Sequence, residues 1–467
     1  PGTPTLDAVT GCVVGSATTP SGDFESSDAM VNQLYSNIKW GQRGNFLSIP
    51  TDCPQRDERV GWMGDAQVFA RTAAYNMDVQ QFFTKWLRDV TDSQTPAGSY
   101  PPVAPVPAYW TNNFSAGWAD AGVIIPWQMY QVYGDRCVIE NNYASMVKYI
   151  DFVNKRAVNY LLPSEGFGDW LNVKEETPKD LVATAYYANS VSLLSKIAGV
   201  LGKRADSLAY DELHHNIKAA FNKAYVSEDG KLKGNTQTGY LLALSFDLLP
   251  QEKRMNAGQL LVENIKAHDW HLTTGFVGVS LLCPVLSSMG YDDVAYRLLN
   301  TQTYPSWLYS VKNGATTIWE RWNSYTKEDG FFDPEMNSYN HYCFGSVGEW
   351  MYSRMVGIDL EPAAVAYKKI IMRPTFDDSM TFVKGRYHSV YGEISSSWKR
   401  EGANYVLNIT IPANSSATLY LPGKNAGSIL EDGTPLSNHT DIKLLPAEGS
   451  RTVLLVGSGS YSFSIKR

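Results

Sequence analysis

From residue 27 to about residue 357, apolar positions recur at helical spacing. Val31, Leu34, Ile38 and Gly41 share one face, with Ser27 or Asp28 as N-cap. Phe82, Trp86, Leu87 and Val90 share another, as do Leu194, Ile197, Val200 and Leu201, and again Leu260, Leu261 and Ile265. After Pro374 the period drops to two: Tyr405, Leu407, Ile409 and Ile411 alternate with Val406, Asn408 and Thr410. Residues 417–421, 452–456 and 461–465 are also strand-like, with turns at Pro422-Gly423 and Asp432-Gly433. Residues 1–24 are small and polar apart from a β-like stretch at 9–14. The pattern predicts a mainly α protein in three parts: a lead-in at 1–24, the remnant of an upstream β domain; a helical domain at 25–370; and an all-β sandwich at 371–467.

Loops rich in proline, glycine and rings separate the helices, at 101–110, 163–170, 301–307 and 323–342. This texture predicts a helical barrel rather than a βαβ array, which would place β-branched strands between helices. No short repeat suggests a regular solenoid. Aromatics make up 12% of the chain, with Trp 13 and Tyr 28, and flat apolar faces beyond those a core needs suit a sugar-binding cleft. The net charge of -7 argues against a nucleic-acid partner, and no apolar run approaches the roughly 20 residues that cross a bilayer. Neither a nucleic acid nor a membrane is expected as a partner. Five scattered cysteines form no CxxC, zinc pattern or disulfide framework. No cofactor is expected, and no metal, since no His or carboxylate cluster stands out at ligand spacing. The N-terminal Pro1-Gly2-Thr3 reads as a processed or truncated start, and the periplasm or secretion is favoured over the cytoplasm. Triplets of the N-x-S/T kind at Asn113, Asn408, Asn414 and Asn438 decide nothing.

Candidate chemistry is densest at residues 52–65 (DCPQRDERVGWMGD), where acids and arginines are broken up by Pro54, Gly61, Trp62 and Gly64. A solvated helix face would lack that interruption, so this is an interhelical loop that either holds polar groups in place or is a salt-bridged connection. A second acid, Glu320, lies between Trp319 and Trp322 with Arg321 beside it; it is a catalytic candidate or one half of a buried Glu–Arg pair. Two carboxyls facing a Trp-lined pocket are what glycoside hydrolysis requires.

These residues resemble glycoside hydrolase family 78, the α-L-rhamnosidases. The likeness rests on 52–65, on 315–322 (ATTIWERW), on 340–350 (NHYCFGSVGEW), and on Gly117-Trp118-Ala119-Asp120, Gly168-Asp169-Trp170 and 271–276 (HLTTGF), in order along the chain. The resemblance implies an (α/α)6 barrel with its site in the barrel mouth, followed by a β-sandwich, and inverting release of terminal non-reducing α-L-rhamnose from glycosides or polysaccharides. It implies Glu58 as general acid and Glu320 as general base; Asp52, Arg56 and Asp65 holding rhamnose hydroxyls; and Trp62, Trp118, Trp170 and His341 as walls. Trp319 and Trp322 would position Glu320. The family usually carries β-sandwich domains before the barrel, so a stub of about 24 residues implies the catalytic portion of a longer protein or a compact form.

Three assignments stay open on sequence. Like charges at Asp52, Asp57 and Asp65 raise the Glu58 pKa, while Arg56 and Arg59 lower it. Asp120 and Asp169 are sugar contacts or loop supports, and Glu175 and Glu176 line the leaving-group side or are solvated. Cys53 and Cys343 are expected as buried fillers, His214 and His215 as surface residues, Asp57–Arg59 as a structural pair, and Tyr339 and Asn340 as possible substrate contacts. The rival functions are a barrel glycosidase for another sugar and a non-catalytic carbohydrate-binding protein.

Overall fold

The structure, a computed structural model, describes residues 2–3, 5–111, 114–423 and 425–466. Asn113 of the N-x-S/T triplets lies outside them, as do Pro1 and Pro4 of the lead-in segment.

The helical region runs through α1 (Ala29–Asn45), α2 (Met63–Asn76), α3 (Gln80–Asp92), α4 (Ala121–Tyr133), α5 (Arg136–Arg156) and α6 (Lys179–Val200). It continues with α7 (Arg204–Tyr225), α8 (Gln237–Ser245), α9 (Gln251–Ala267), α10 (Phe276–Ser288), α11 (Asp292–Asn300) and α12 (Trp307–Lys312). A last helical stretch covers 342–356. Helices α2, α4, α6, α8 and α10 and this last stretch touch one after another, and the stretch returns to α2, which closes a ring. The odd-numbered helices α1 to α11 pack around it, giving a six-hairpin helical barrel.

Sequence texture follows from this layering. Outer helices are amphipathic: α3 buries Phe82, Phe83, Trp86, Leu87 and Val90, and α7 buries only Ile217, Phe221 and Tyr225. Inner helices are enclosed on all sides, so α8 and α10 are apolar or small nearly all round, α2 is buried along nearly its whole length, and all three carry little helical period. Asp28 is the N-cap of α1, its Oδ1 accepting the N–H groups of Met30 and Val31 at 2.7 and 3.0 Å.

The C-terminal region forms two sheets that share a core. One runs in the order Gly22–Ser26, Phe382–Ser389, Gly392–Glu401, Asn404–Ile411, Gly459–Lys466, Ile429–Glu431, Thr434–Pro435. The other runs Lys443–Glu448, Arg451–Val456, Ser416–Pro422, Lys369–Met372, Ile358–Leu360. The expected alternation holds, since Tyr405, Leu407, Ile409 and Ile411 are buried and Leu407 lies between Trp398 and Phe463.

Two expectations are corrected. Residues 9–14 form no strand and are exposed; the lead-in strand is Gly22–Ser26, which pairs antiparallel with Phe382–Ser389. The sheets also begin at Ile358, ahead of 371, because Ile358–Leu360 and Lys369–Met372 are too short to show a period of two. The strand before the barrel is thus an edge of the sheet after it. Phe24 on that strand packs against Tyr35 of α1 and Tyr352 of the last helical stretch, at ring-centre distances of 5.3 and 6.4 Å. Phe24→Ala should cost about 3 kcal/mol in chemical denaturation; a loss below about 0.5 kcal/mol would show that this strand does not clamp barrel and sheet.

Candidate active site

The loop before α2 is closed by Asp52. Its N–H donates to the Val60 carbonyl, and its Oδ1 accepts the Val60 N–H, both at 3.1 Å. Arg56 and Glu58 are carried between these two points. Gly61 and Gly64 explain the spacing of the motif that follows. A Cβ at Gly61 would meet the Ala104 carbonyl oxygen at 2.2 Å, and one at Gly64 would meet the Trp118 indole at 2.5 Å. The two glycines therefore let the 101–110 loop and the Trp118 wall close on the acidic loop. Trp62, between them, donates its Nε1–H to Glu58 Oε1 at 2.8 Å.

Glu320 arrives from the opposite side. Its N–H donates to the Ser338 carbonyl and the His341 N–H to the Ile318 carbonyl, at 2.9 and 2.8 Å, so the two ends of this excursion of the chain run side by side. Arg56 joins the two acids: its Nη2 lies 2.7 Å from Glu58 Oε2 and 3.4 Å from Glu320 Oε1, and its Nη1 lies 3.0 Å from Glu320 Oε2. The two oxygens that share Nη2 are therefore within about 6 Å of each other. Asp65, in the first turn of α2, pairs with His341 Nε2 at 2.9 Å. Among the described residues, Arg56 Nε and His341 Nδ1 are buried without a hydrogen-bond partner, and Asp52 Oδ2 and Glu320 Oε2 meet only the Arg56 guanidinium, at 3.6 and 3.0 Å; such sparsely used polar atoms suit a hydroxyl-rich ligand.

The cavity above them has a volume of about 240 Å³ and is lined by Arg56, Glu58, Asp65, Glu320 and His341 with Trp62, Trp118, Phe167, Trp170, Phe276 and Met336. Rings follow one another along the wall: Trp62 to Phe167 at 5.6 Å, then Phe167 to Trp118 at 4.9 Å and to Trp170 at 6.0 Å.

Burial raises the Glu58 pKa above its ordinary value; Asp52 and Glu320 add to this, and Arg56 and His341 oppose it. Asp57 plays no such part, being fully exposed in a surface pair with Arg59 at 3.5 Å. Burial also raises Asp52. It pulls His341 down, but the Asp65 hydrogen bond and the charges of Glu320, Asp65 and Asp52 outweigh it and push that imidazole up to about 9.

Of the residues expected at the site, Glu58, Glu320, Arg56, Trp62, Asp65, Trp118, Trp170 and His341 converge on the cavity. Asp52 is fully buried behind Arg56 and does not line it; closing the loop occupies Oδ1, and Oδ2 faces Arg56 Nη2 at 3.6 Å. Asp120 and Asp169 are loop supports. Asp120 accepts from the Gly117 N–H and the hydroxyls of Tyr149 and Ser190. Asp169 caps α10, accepting from the N–H groups of Gly275, Val277 and Gly278 and from the Thr238 hydroxyl. Glu175 accepts from the Gln237 N–H and from the Asn264 and Thr273 side chains, while Glu176 is exposed. Trp319 packs on Tyr339, whose hydroxyl donates to the Ser324 carbonyl, Trp322 stacks on Phe344, and Asn340 turns back to Asn45. Cys53 and Cys343 are buried fillers.

Phe167, Phe276 and Met336 are wall residues that sequence reasoning missed, although each lies in a segment or loop already singled out. Ligand spacing was also passed over. Among the described residues, Asp211, His214 and His215 on α7 bring ligand atoms within 4.8 Å of one another, as do Asp52, Cys53 and Glu58. In the second group burial pushes the Cys53 thiol up to about 12, and Arg56 faces both carboxylates.

Fold and site together define a six-hairpin carbohydrate-active barrel with a C-terminal β domain. Residues 19–355 match the model of the bacterial alpha-L-rhamnosidase 6 hairpin glycosidase domain, and 357–434 that of the bacterial alpha-L-rhamnosidase C-terminal domain. The chain belongs to the bacterial α-L-rhamnosidase family, glycoside hydrolase family 78. An α-L-rhamnosidase of Streptomyces avermitilis is 45% identical over 465 residues, covering 100% of this chain and 44% of its own length; its crystal structure with L-rhamnose superimposes with a TM-score of 0.95. An α-L-rhamnosidase of Formosa agariphila is 42% identical, covering 99% of this chain and 51% of its own length. The Dictyoglumus thermophilum α-L-rhamnosidase structure gives a TM-score of 0.91 at 37% identity, covering 100% of this chain and 53% of that one. The chain thus spans about half the length of these relatives.

The His341 pair has a pH signature. Its folded pKa lies above the ordinary 6.5, so its stabilisation is complete below pH 6.5 and is lost as pH rises toward about 9. Denaturation across this window should show a fall of about 3 kcal/mol that His341→Gln removes. An unchanged slope in the variant would show that the pair is not charged.

Proposed function

We propose that this chain hydrolyses terminal α-L-rhamnosides with inversion, and that Glu58 and Glu320 are its acid and base. One observation carries the reading: in a chain of this family, one arginine spans two carboxylates from distant loops over a small cavity walled by indoles.

Glu58 is suited to the acid role because burial and Asp52 favour its protonated form and Trp62 holds it by Oε1. It gives its proton to the glycosidic oxygen as the C1–O bond breaks. On the other face of the ring Glu320 takes a proton from a water molecule whose oxygen forms the new bond to C1, which inverts the configuration. Glu58 is then reprotonated from solvent, and Glu320 releases its proton there. A sugar entering between the acids draws Glu58 away from Arg56 and widens the pair toward the roughly 6.5–9.5 Å that an inverting site needs. Arg56, Asp65 and His341 then hold ring hydroxyls, with Asp52 behind Arg56 fixing the guanidinium, while Trp62, Trp118 and Trp170 receive the apolar face and the C6 methyl. The Streptomyces avermitilis relative was solved with L-rhamnose bound, which supports rhamnose as the sugar. The substrates are rhamnosylated glycosides or polysaccharides.

Glu58→Gln and Glu320→Gln should each lower kcat on 4-nitrophenyl α-L-rhamnoside by about 10²–10⁴-fold while the variants remain folded by circular dichroism at the assay temperature. Near-normal turnover in both variants would sink the assignment. A proton NMR time course should show β-L-rhamnose as the first-formed anomer; appearance of the α anomer first would overturn inversion.

A further inference from the structure

The cavity has a floor and a rim. Among the described residues that line it, Asp65, Trp118, Phe276, Glu320 and His341 are buried, and only Trp170 and Met336 are exposed, by 38% and 45%. Glu58 stands with the rim, its side chain 34% exposed against 6% for that of Glu320. A sugar seated in the cavity must present its leaving oxygen to the acid, so the leaving group goes out over this rim. The cavity is small, about 240 Å³, and a group that departs past Glu58 comes within reach of the other rim residues. Trp170 belongs to the run of rings that walls the sugar, packed on Phe167. Met336 comes from a different element, the excursion of the chain at 321–337 that follows Glu320. Its N–H donates to the Asp333 carbonyl and its own carbonyl accepts the Arg321 Nε–H, at 3.1 and 3.2 Å. The next residue, Asn337, exchanges hydrogen bonds with Ser324 at 2.7 and 3.0 Å. The Met336 backbone is thus fixed to the segment that carries the base, and the residue meets both the cavity and solvent.

We infer that Met336 is the specificity-determining contact of a leaving-group subsite, and that the group it takes is an aryl ring. The inference rests on Glu58 being the acid of a rhamnosidase. A methionine side chain is unbranched, has three rotatable bonds and carries a polarisable sulfur that packs favourably against aromatic rings. It donates no hydrogen bond and accepts only weakly, so it favours a flat apolar guest and offers little to the hydroxyls of a second sugar. Its flexibility lets one contact serve rings with different substituents. The subsite therefore selects for aromatic character more than for a particular aglycone.

The test compares kcat/KM for three substrates: 4-nitrophenyl α-L-rhamnoside, a rhamnosyl-glucose disaccharide and methyl α-L-rhamnoside, whose leaving group is too small to pack on a side chain. Met336→Ala should lower the aryl-to-methyl ratio by roughly two- to tenfold relative to the wild type, and the disaccharide-to-methyl ratio by less. Met336→Leu, which keeps the apolar bulk, should restore most of the loss. A disturbed acid would move the aryl-to-methyl ratio the other way, because methoxide is the poorer leaving group and depends more on protonation. Phe276→Leu, on the floor, should lower all three substrates in similar proportion. A Met336→Ala variant whose aryl-to-methyl ratio is unmoved or raised would overturn the subsite alone. A disaccharide-to-methyl ratio that falls as far as the aryl one would overturn the choice of an aryl guest. A wild type that hydrolyses none of the three would overturn the rhamnosidase reading, and the subsite with it.

Discussion

Four carboxylates, Asp52, Glu58, Asp65 and Glu320, crowd one end of the barrel, and two cations make that arrangement tolerable. Arg56 spans Glu58 and Glu320 with Asp52 behind it, and His341 is paired with Asp65. Charges this deeply placed are costly unless matched, and removing one partner of a buried pair typically costs about 3–5 kcal/mol. The geometry of the site is therefore the geometry of this charge balance. Each acid is held where a cation can reach it, and the space between Glu58 and Glu320 is the space one guanidinium fills.

Maintaining that balance demands a stiff frame. The inner helices are packed on every side, and the loops carrying the charges leave them with short, tied connections: Asp52 closes its own loop, Asp169 caps α10, and Asp120 ties Gly117 to Tyr149 and Ser190. Asp120 and Asp169 spend their lone pairs on backbone and hydroxyl donors, whereas Glu320 meets the Arg56 guanidinium and faces the cavity. The same residue type thus serves two ends, and its hydrogen-bond partners tell them apart. The β domain is part of the frame too, since the Trp398 indole N–H donates to the Met355 carbonyl and the strand before the barrel completes the sheet that follows it.

Much of this was legible in the chain. Periodicity marked α1 and α3 because one face of each is wet, and alternation marked Asn404–Ile411 because one side of its sheet is buried. It failed where burial is uniform or the element short: α10 is apolar all round, and Gly22–Ser26 is strand only because Phe382–Ser389 offers it an edge. Motif order pointed to Glu58, Glu320 and their neighbours. It was silent on Phe167, Phe276 and Met336, since an apolar side chain in a loop or at a helix start carries no sign of which way it faces.

The sequence by itself determined the inventory: where the helical and the β regions lie, which acids stand among tryptophans and glycines, and which family the chain resembles. Those are local facts, set by side-chain type and spacing. Only the tertiary structure decided how each acid is used, because a carboxylate's role depends on burial, on opposing charge and on donors contributed by residues hundreds of positions away. Asp120 and Asp169 became supports, Asp52 a clasp, and Glu58 the open-sided acid, for reasons that exist only once Arg56, His341 and the barrel wall have closed around them.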